Sequence, residues 1–172
     1  MNSKTLDDEL IDAARDENLQ DVQRLLKEGA DPLVEDSLPL WWAAKKNNKM
    51  LVACLLPVSD ASAFHNEALR IACKNQHWDI CRMLLPTSDP VDQNSVVNPL
   101  FLACKLELEE TICDYIDRFS LNVPQEIQKM KELGEDPAAI CMLENVWLKI
   151  TLHTAIKTNP VQNAVLPTTR KM

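Results

Sequence analysis

The chain has 172 residues, 46% of them hydrophobic, with a formal net charge of −8 and only two glycines, Gly29 and Gly134. That length fits one domain of ordinary size with a continuous core, and abundant Leu, Ala and Lys with few β-branched runs favour an all-α chain. The acidic balance argues against nucleic acid as a ligand, since a negative surface repels phosphate backbones.

The N-terminus, MNSKTLDDEL, carries no basic-then-apolar signal, and no apolar run reaches the ~18–20 residues of a membrane span. Residues 1–40 hold eleven acids against four bases. This acid-rich face suits solvation or a basic protein partner. Six cysteines, at 54, 73, 81, 104, 113 and 141, form no C-x-x-C and no zinc-finger spacing. They are expected in core slots as reduced, small hydrophobes, which implies a cytosolic compartment.

Four segments of the chain align with one another: DELIDAARDENLQDVQRLLKEGADP (8–32), LPLWWAAKKNNKMLVACLLPVSDA (38–61), EALRIACKNQHWDICRMLLPTSDP (67–90) and NPLFLACKLELEETICDYIDRFS (98–120). Their small pairs, Ala13-Ala14, Ala43-Ala44, Ala72-Cys73 and Ala103-Cys104, are spaced by 30, 29 and 31 residues. Each segment reads as a helical hairpin. A short first helix carries the small pair on its inner face, where it lets the neighbouring helix approach. A polar link (DEN, KNN or NQH) turns the chain. A second helix shows apolar residues at helical spacing (Leu51, Cys54, Leu55; Ile80, Met83, Leu84) and is stopped by Pro57 or Pro86. One hairpin cannot bury its own stripe, so the units must stack.

This pattern resembles the ankyrin repeat, whose signature is T-P-L-H-x-A-A, then G-H, a leucine pair and G-A-D. Pro39-Leu40 and Pro99-Leu100 fill the P-L slots, His77 falls on the link histidine, and Gly29-Ala30-Asp31 matches G-A-D. The resemblance covers about residues 8–120. The spacing is ~30 against the family's 33, and the shortfall follows the second helix, so the finger-like loops should be short or irregular. The endings LLPVSD and LLPTSD are similar in style to ankyrin proteins of intracellular bacteria and giant viruses.

At the ends, Asp12 stands where later repeats carry Trp42, Ile71 and Leu102, which marks repeat one as a cap with an uncovered face; Leu6-Asp7-Asp8 reads as a helix start. Beyond 120 the pattern dissolves. Residues 121–157 are expected as C-terminal capping helices. The first starts near Pro124 and ends at Gly134. The second starts at Asp136-Pro137 and carries the stripe Ile140, Leu143, Val146-Trp147, Ile150 and Thr154. Residues 158–172 are expected as a mobile tail.

The resemblance implies partner contacts along the concave inner-helix surface. Arg15, Lys45, Lys74 and Lys105 follow the small pairs in register, with Asp16, Lys46, Asn75 and Leu106 as a second row. The first row reads either as a basic ladder for an acidic partner segment or as solvated residues usual for the repeat. Trp41 and Trp42 are adjacent and should face different sides of their helix, Trp42 in the core and Trp41 at the groove, either as an anchor or buried on the next repeat. Phe64 either projects as a finger-tip contact or folds back as a plug. His77 is expected to brace neighbouring loops.

Sequence and resemblance together imply an all-α ankyrin solenoid of about four repeats. Its expected role is as a non-catalytic module that binds a partner protein, with no cofactor, metal, nucleic acid or membrane, and that is monomeric alone. A secreted microbial effector acting on a host protein in the host cytosol is one form of this reading; an endogenous cytosolic regulator or inhibitor is another. An enzyme would need a thiolate paired with His153 in a cleft between repeat four and the final helix.

Overall fold

A computed structural model of the chain describes residues 5–90 and 98–158. Among these residues ten α-helices pair into five hairpins: α1 (Leu6–Arg15) with α2 (Leu19–Glu28), α3 (Val34–Lys45) with α4 (Lys49–Leu55), α5 (Ala63–Lys74) with α6 (Trp78–Leu84), α7 (Pro99–Lys105) with α8 (Glu109–Phe119), and α9 (Val123–Glu132) with α10 (Pro137–Thr158). The first helices stack as an inner row, α1 on α3 on α5, and α2, α4 and α6 form an outer row. This is the all-α repeat solenoid that the sequence implies.

The small pairs explain the close approach of the inner helices. Ala14, Ala43, Ala44, Ala72 and Ala103 are buried to 0% exposure within one core that runs from Leu10 to Val146. The first residue of each pair also closes the link. Its carbonyl accepts the N–H of Asn18, Asn48, His77 or Leu108 at 2.9–3.1 Å. That closure puts Glu17, Asn47, Gln76 and Glu107 at φ of 57–61°, a left-handed conformation costing a non-glycine residue about 1–2 kcal/mol. Asn18 and Asn48 then cap α2 and α4 through their side chains. His77 does not cap α6. Its Nδ1–H donates to the Ala44 carbonyl at 3.0 Å, fastening repeat three to repeat two.

The joints between repeats are the departure from the family layout. The chain turns through three consecutive left-handed residues instead of a finger loop: Glu35, Asp36 and Ser37 before repeat two, and Phe64, His65 and Asn66 before repeat three. The last residue of each turn points inward and ties the start of its repeat to its end. Ser37 Oγ accepts the Asp60 N–H at 3.0 Å. Asn66, wholly buried, accepts the Asp89 N–H at 2.9 Å and donates to the Asp89 carbonyl at 3.0 Å. In repeat one Asp7 does the same for the Asp31 N–H at 2.7 Å. Asp7 is therefore a clamp. Thr5 and Asp8 form the capping box that starts α1.

Repeat four joins differently. Arg82 donates to the Leu106 carbonyl at 3.0 Å, Arg118 to the Pro86 carbonyl at 3.1 Å, and the Tyr115 hydroxyl to the Leu85 carbonyl. Beyond it, α10 packs on α7, α8 and α9. Asn122 caps α9, and Gly134, at φ 71°, lies beyond its end. The residues from 159 onward lie outside the described part, as does nearly all of the expected tail.

Four expectations need correction. Cysteines do not all fill core slots: Cys81 and Cys104 are buried, Cys54, Cys73 and Cys113 half-buried, and Cys141 exposed. Cys141 is off the stripe of Ala139, Leu143 and Val146 that α10 turns inward. Thr154 is exposed, as are Leu148 and Leu152, so the buried stripe ends before the helix does. Pro57 and Pro86 do not stop the chain's helical path outright. Each α-helix ends two residues earlier, and the proline sits inside a single 3-10 turn, Leu56–Val58 or Leu85–Thr87. Trp42 is half-buried and not a core residue.

Two substitutions test this account. Asn66→Ala strands both backbone groups of Asp89, and a loss of about 2–3 kcal/mol is expected in urea unfolding. Gln76→Gly relieves the left-handed link and is expected to raise the urea midpoint by the equivalent of about 0.5–1 kcal/mol; a lowered midpoint would show that the link is not strained.

Candidate partner-binding site

Along the inner helices the charge runs from acidic to basic. The left-handed turns and first helical turns carry Glu35, Asp36 and Glu67, whereas Arg15, Lys45, Lys74 and Lys105 each close an inner helix. A base at that position complements the helix dipole without any partner. The second row, Asp16, Lys46, Asn75 and Leu106, is the set of C-cap residues of the same helices.

The four bases of the first row are not equivalent. Arg15 is ion-paired to Asp12 and lies 3.6 Å from Asp16. Lys45 places its ammonium 4.6 Å from both the Trp41 and the Trp42 ring centroids. Lys74 and Lys105 are exposed, as are Lys46 and Asn75. Leu106 is half-buried against the core. The tryptophans do not part to opposite sides. Their rings meet edge to face, centroids 4.9 Å apart at 82°, and Lys45, four and three residues on, places its ammonium over both.

The two left-handed turns and α3 frame a recess of about 270 Å³ lined by Glu35, Asp36, Ser37, Leu38, Trp41, Asp60, Ala63, Phe64, Glu67 and Ala68. Trp41 is half-buried here, so it is partly available. Phe64 is 67% exposed, so it projects and does not plug the fold. Of the sequence-selected residues, the recess brings together Trp41 and Phe64 and leaves the basic row outside. It adds four carboxylates that the repeat alignment did not single out. Two of them, Glu35 and Asp36, belong to the acid excess of residues 1–40; Asp60 and Glu67 lie beyond it.

Glu67 is the best-defined of these acids. Arg70 donates to both its oxygens and holds the carboxyl below the usual range, against the opposing effect of partial burial; the Trp41 indole and Lys74 add smaller contributions in the same direction. Glu35 and Asp36 are exposed, and Asp60 accepts from the Ser62 N–H at 2.9 Å and its hydroxyl at 2.7 Å.

A second cleft, about 260 Å³, lies between α7 and α10 and is lined in part by Cys104, Lys105, Glu107, Cys141 and Asn145. Burial pushes the Cys104 thiol up to about 12, which keeps it protonated, and His153 is exposed and does not line the cleft. The thiolate–imidazole pair that enzyme chemistry would require is not assembled there.

Stacked helical hairpins with aligned small pairs and an exposed inner face define a repeat solenoid of the interaction type. A family model of ankyrin repeats, in three copies, matches residues 10–96, and the chain belongs to the ankyrin-repeat family. The family is generally one of protein–protein interaction modules and typically non-catalytic. Searches of curated proteins and of solved structures found no match.

The Glu67–Arg70 pair makes a pH-dependent contribution with a defined sign. Because the folded carboxyl is held low, the stabilisation is present above about pH 4.3 and is lost as pH falls through the folded value. Between about pH 6 and about pH 3, the native chain is expected to lose more stability than Glu67→Gln, measured by urea midpoints at both pH values. Equal losses would show that the pair does not stabilise the fold.

Proposed function

We propose that the inner-helix face grips a segment of a partner protein and that the chain is a non-catalytic binding module. A stacked solenoid offers an extended concave surface for this role. The observation that carries the reading is Phe64. A large aromatic side chain stands 67% exposed on a backbone at φ 48°, beside a half-buried tryptophan. Core packing does not require it there, and backbone preference opposes it. Exposed and half-exposed aromatics of this kind are the usual anchors of an interface.

Lys74 and Lys105, exposed at the far end of the same helices, give the surface a basic side that would orient a partner's acidic residues. The working compartment is proposed to be cytosolic, in keeping with six free thiols, one of them exposed. The LLPVSD and LLPTSD endings favour a microbial effector acting on a host protein; a translocation reporter fused to the chain would appear in host cytosol if so, and would stay with the producing cell if the chain is an endogenous regulator.

The binding reading is tested by affinity capture from lysate with the native chain, Phe64→Ala and the double variant Lys45→Glu/Lys74→Glu. Each is expected to weaken retention of the captured protein about tenfold with helicity unchanged. Undiminished capture by Phe64→Ala would remove the recess from the interface, and undiminished capture by the double variant would remove the basic row.

A further inference from the structure

We infer that the recess between Trp41 and Phe64 is a pocket for a basic side chain, an arginine or lysine presented by an extended segment of the partner protein. The inference rests on the binding reading above and gives it a chemical identity at one position.

Three observations converge on it. The first is composition. The lining combines two aromatic rings and small apolar side chains, Leu38, Ala63 and Ala68, with four carboxylates, Glu35, Asp36, Asp60 and Glu67. Arg70 pairs with Glu67 and Lys74 acts on it more weakly, while the other three acids form no ion pair with a base among the described residues. An apolar side chain would fit the floor but would leave the acids without a cation. An acidic side chain would meet repulsion from every edge.

The second is size. At about 270 Å³ the recess is smaller than the usual range for drug-sized ligands and suits one long side chain. Arginine and lysine both carry an apolar stem that covers aromatic surface and a cationic head that reaches carboxylates. A guanidinium can also stack on an indole or phenyl face while its N–H groups bond the acids.

The third is how the chain already treats cations and aromatics in this neighbourhood. The Lys45 ammonium sits 4.6 Å from the Trp41 ring centroid and as close to that of Trp42. The indole pair thus already receives one cation, and Trp41, one of its two rings, also lines the recess together with Phe64.

The backbone supplies a reason for the arrangement. Glu35 and Phe64 occupy the same place in successive left-handed turns, 29 residues apart, and Asp36 follows directly. The inward residue of each turn, Ser37 or Asn66, is tied to the end of its own repeat. The residues just before it are thereby held outward, so the acids and the phenyl ring are preset and need little ordering when a ligand arrives.

The test uses random linear peptides selected on the full chain and measured individually against it. Peptides carrying an essential Arg or Lys are expected. Replacing that residue by citrulline or norleucine should weaken binding about tenfold or more. Glu35→Gln/Asp36→Asn, both at exposed positions, should give a similar loss with unchanged circular dichroism, and added salt should weaken the native pair. Peptides that need Phe64 but keep their affinity when the basic residue is replaced would overturn the cation pocket and leave the binding face standing. Selected peptides indifferent to both Phe64→Ala and the acid-neutralising variant, or no selected peptides at all, would overturn the cation pocket and count against the binding face as well.

Discussion

The constraint behind this structure is the number of residues available per repeat. At 29–30 residues between corresponding positions of repeats one to three, the chain has little length for a finger loop, and it re-enters the stack through a three-residue turn. The left-handed turns at 35–37 and 64–66 reverse it in the space available. Such turns cost side-chain-bearing residues about 1–2 kcal/mol each. Their inward side chains offset part of this by closing each repeat on itself, Ser37 to Asp60 and Asn66 to Asp89. The finger-like loop expected from the family resemblance is thus replaced by a stapled corner.

The corner decides what the surface presents. Because Ser37 and Asn66 turn in, Glu35, Asp36 and Phe64 stand out beside Trp41. At the opposite end of the same helices the backbone again becomes left-handed, at Glu17, Asn47, Gln76 and Glu107, and there the last-turn bases lie. One helix row therefore carries acid and aromatic character at its start and basic character at its close. The helix dipole favours that polarity in any case, so the basic row alone is weak evidence for a ligand, whereas the exposed phenylalanine has no such intrinsic explanation.

Cohesion along the stack is not uniform. Repeats one to three approach through alanines, and His77 reaches back to the Ala44 carbonyl. Repeat four is fastened to repeat three by Arg82, Arg118 and Tyr115, each donating to a backbone carbonyl. It is then covered by α10, whose inward stripe of Ala139, Leu143 and Val146 closes the core. The family match ends at residue 96, before this differently built end. Exposed ion pairs such as Lys131–Glu144 and Lys149–Glu109 decorate it, but pairs of this exposure contribute little.

The helical period and the small pairs were legible in the sequence because each is a local signal repeated four times, and repetition separates pattern from chance. His77 as a brace was legible from the family resemblance, where it falls on the link histidine. Phe64 and Trp41 could be singled out, but not whether they were exposed. The four acids could not be assembled at all: Glu35, Asp36, Asp60 and Glu67 are spread over two joints, and only stacking the hairpins gathers them. The two tryptophans show the limit most plainly. Helical geometry alone sends neighbouring residues to different sides, yet the two rings meet edge to face with the Lys45 ammonium over both. Sequence determined the rods and their register, since those follow from near neighbours along the chain. Tertiary structure decided which charges and rings share a recess, since that depends on the backbone sign at three-residue corners that propensity does not encode.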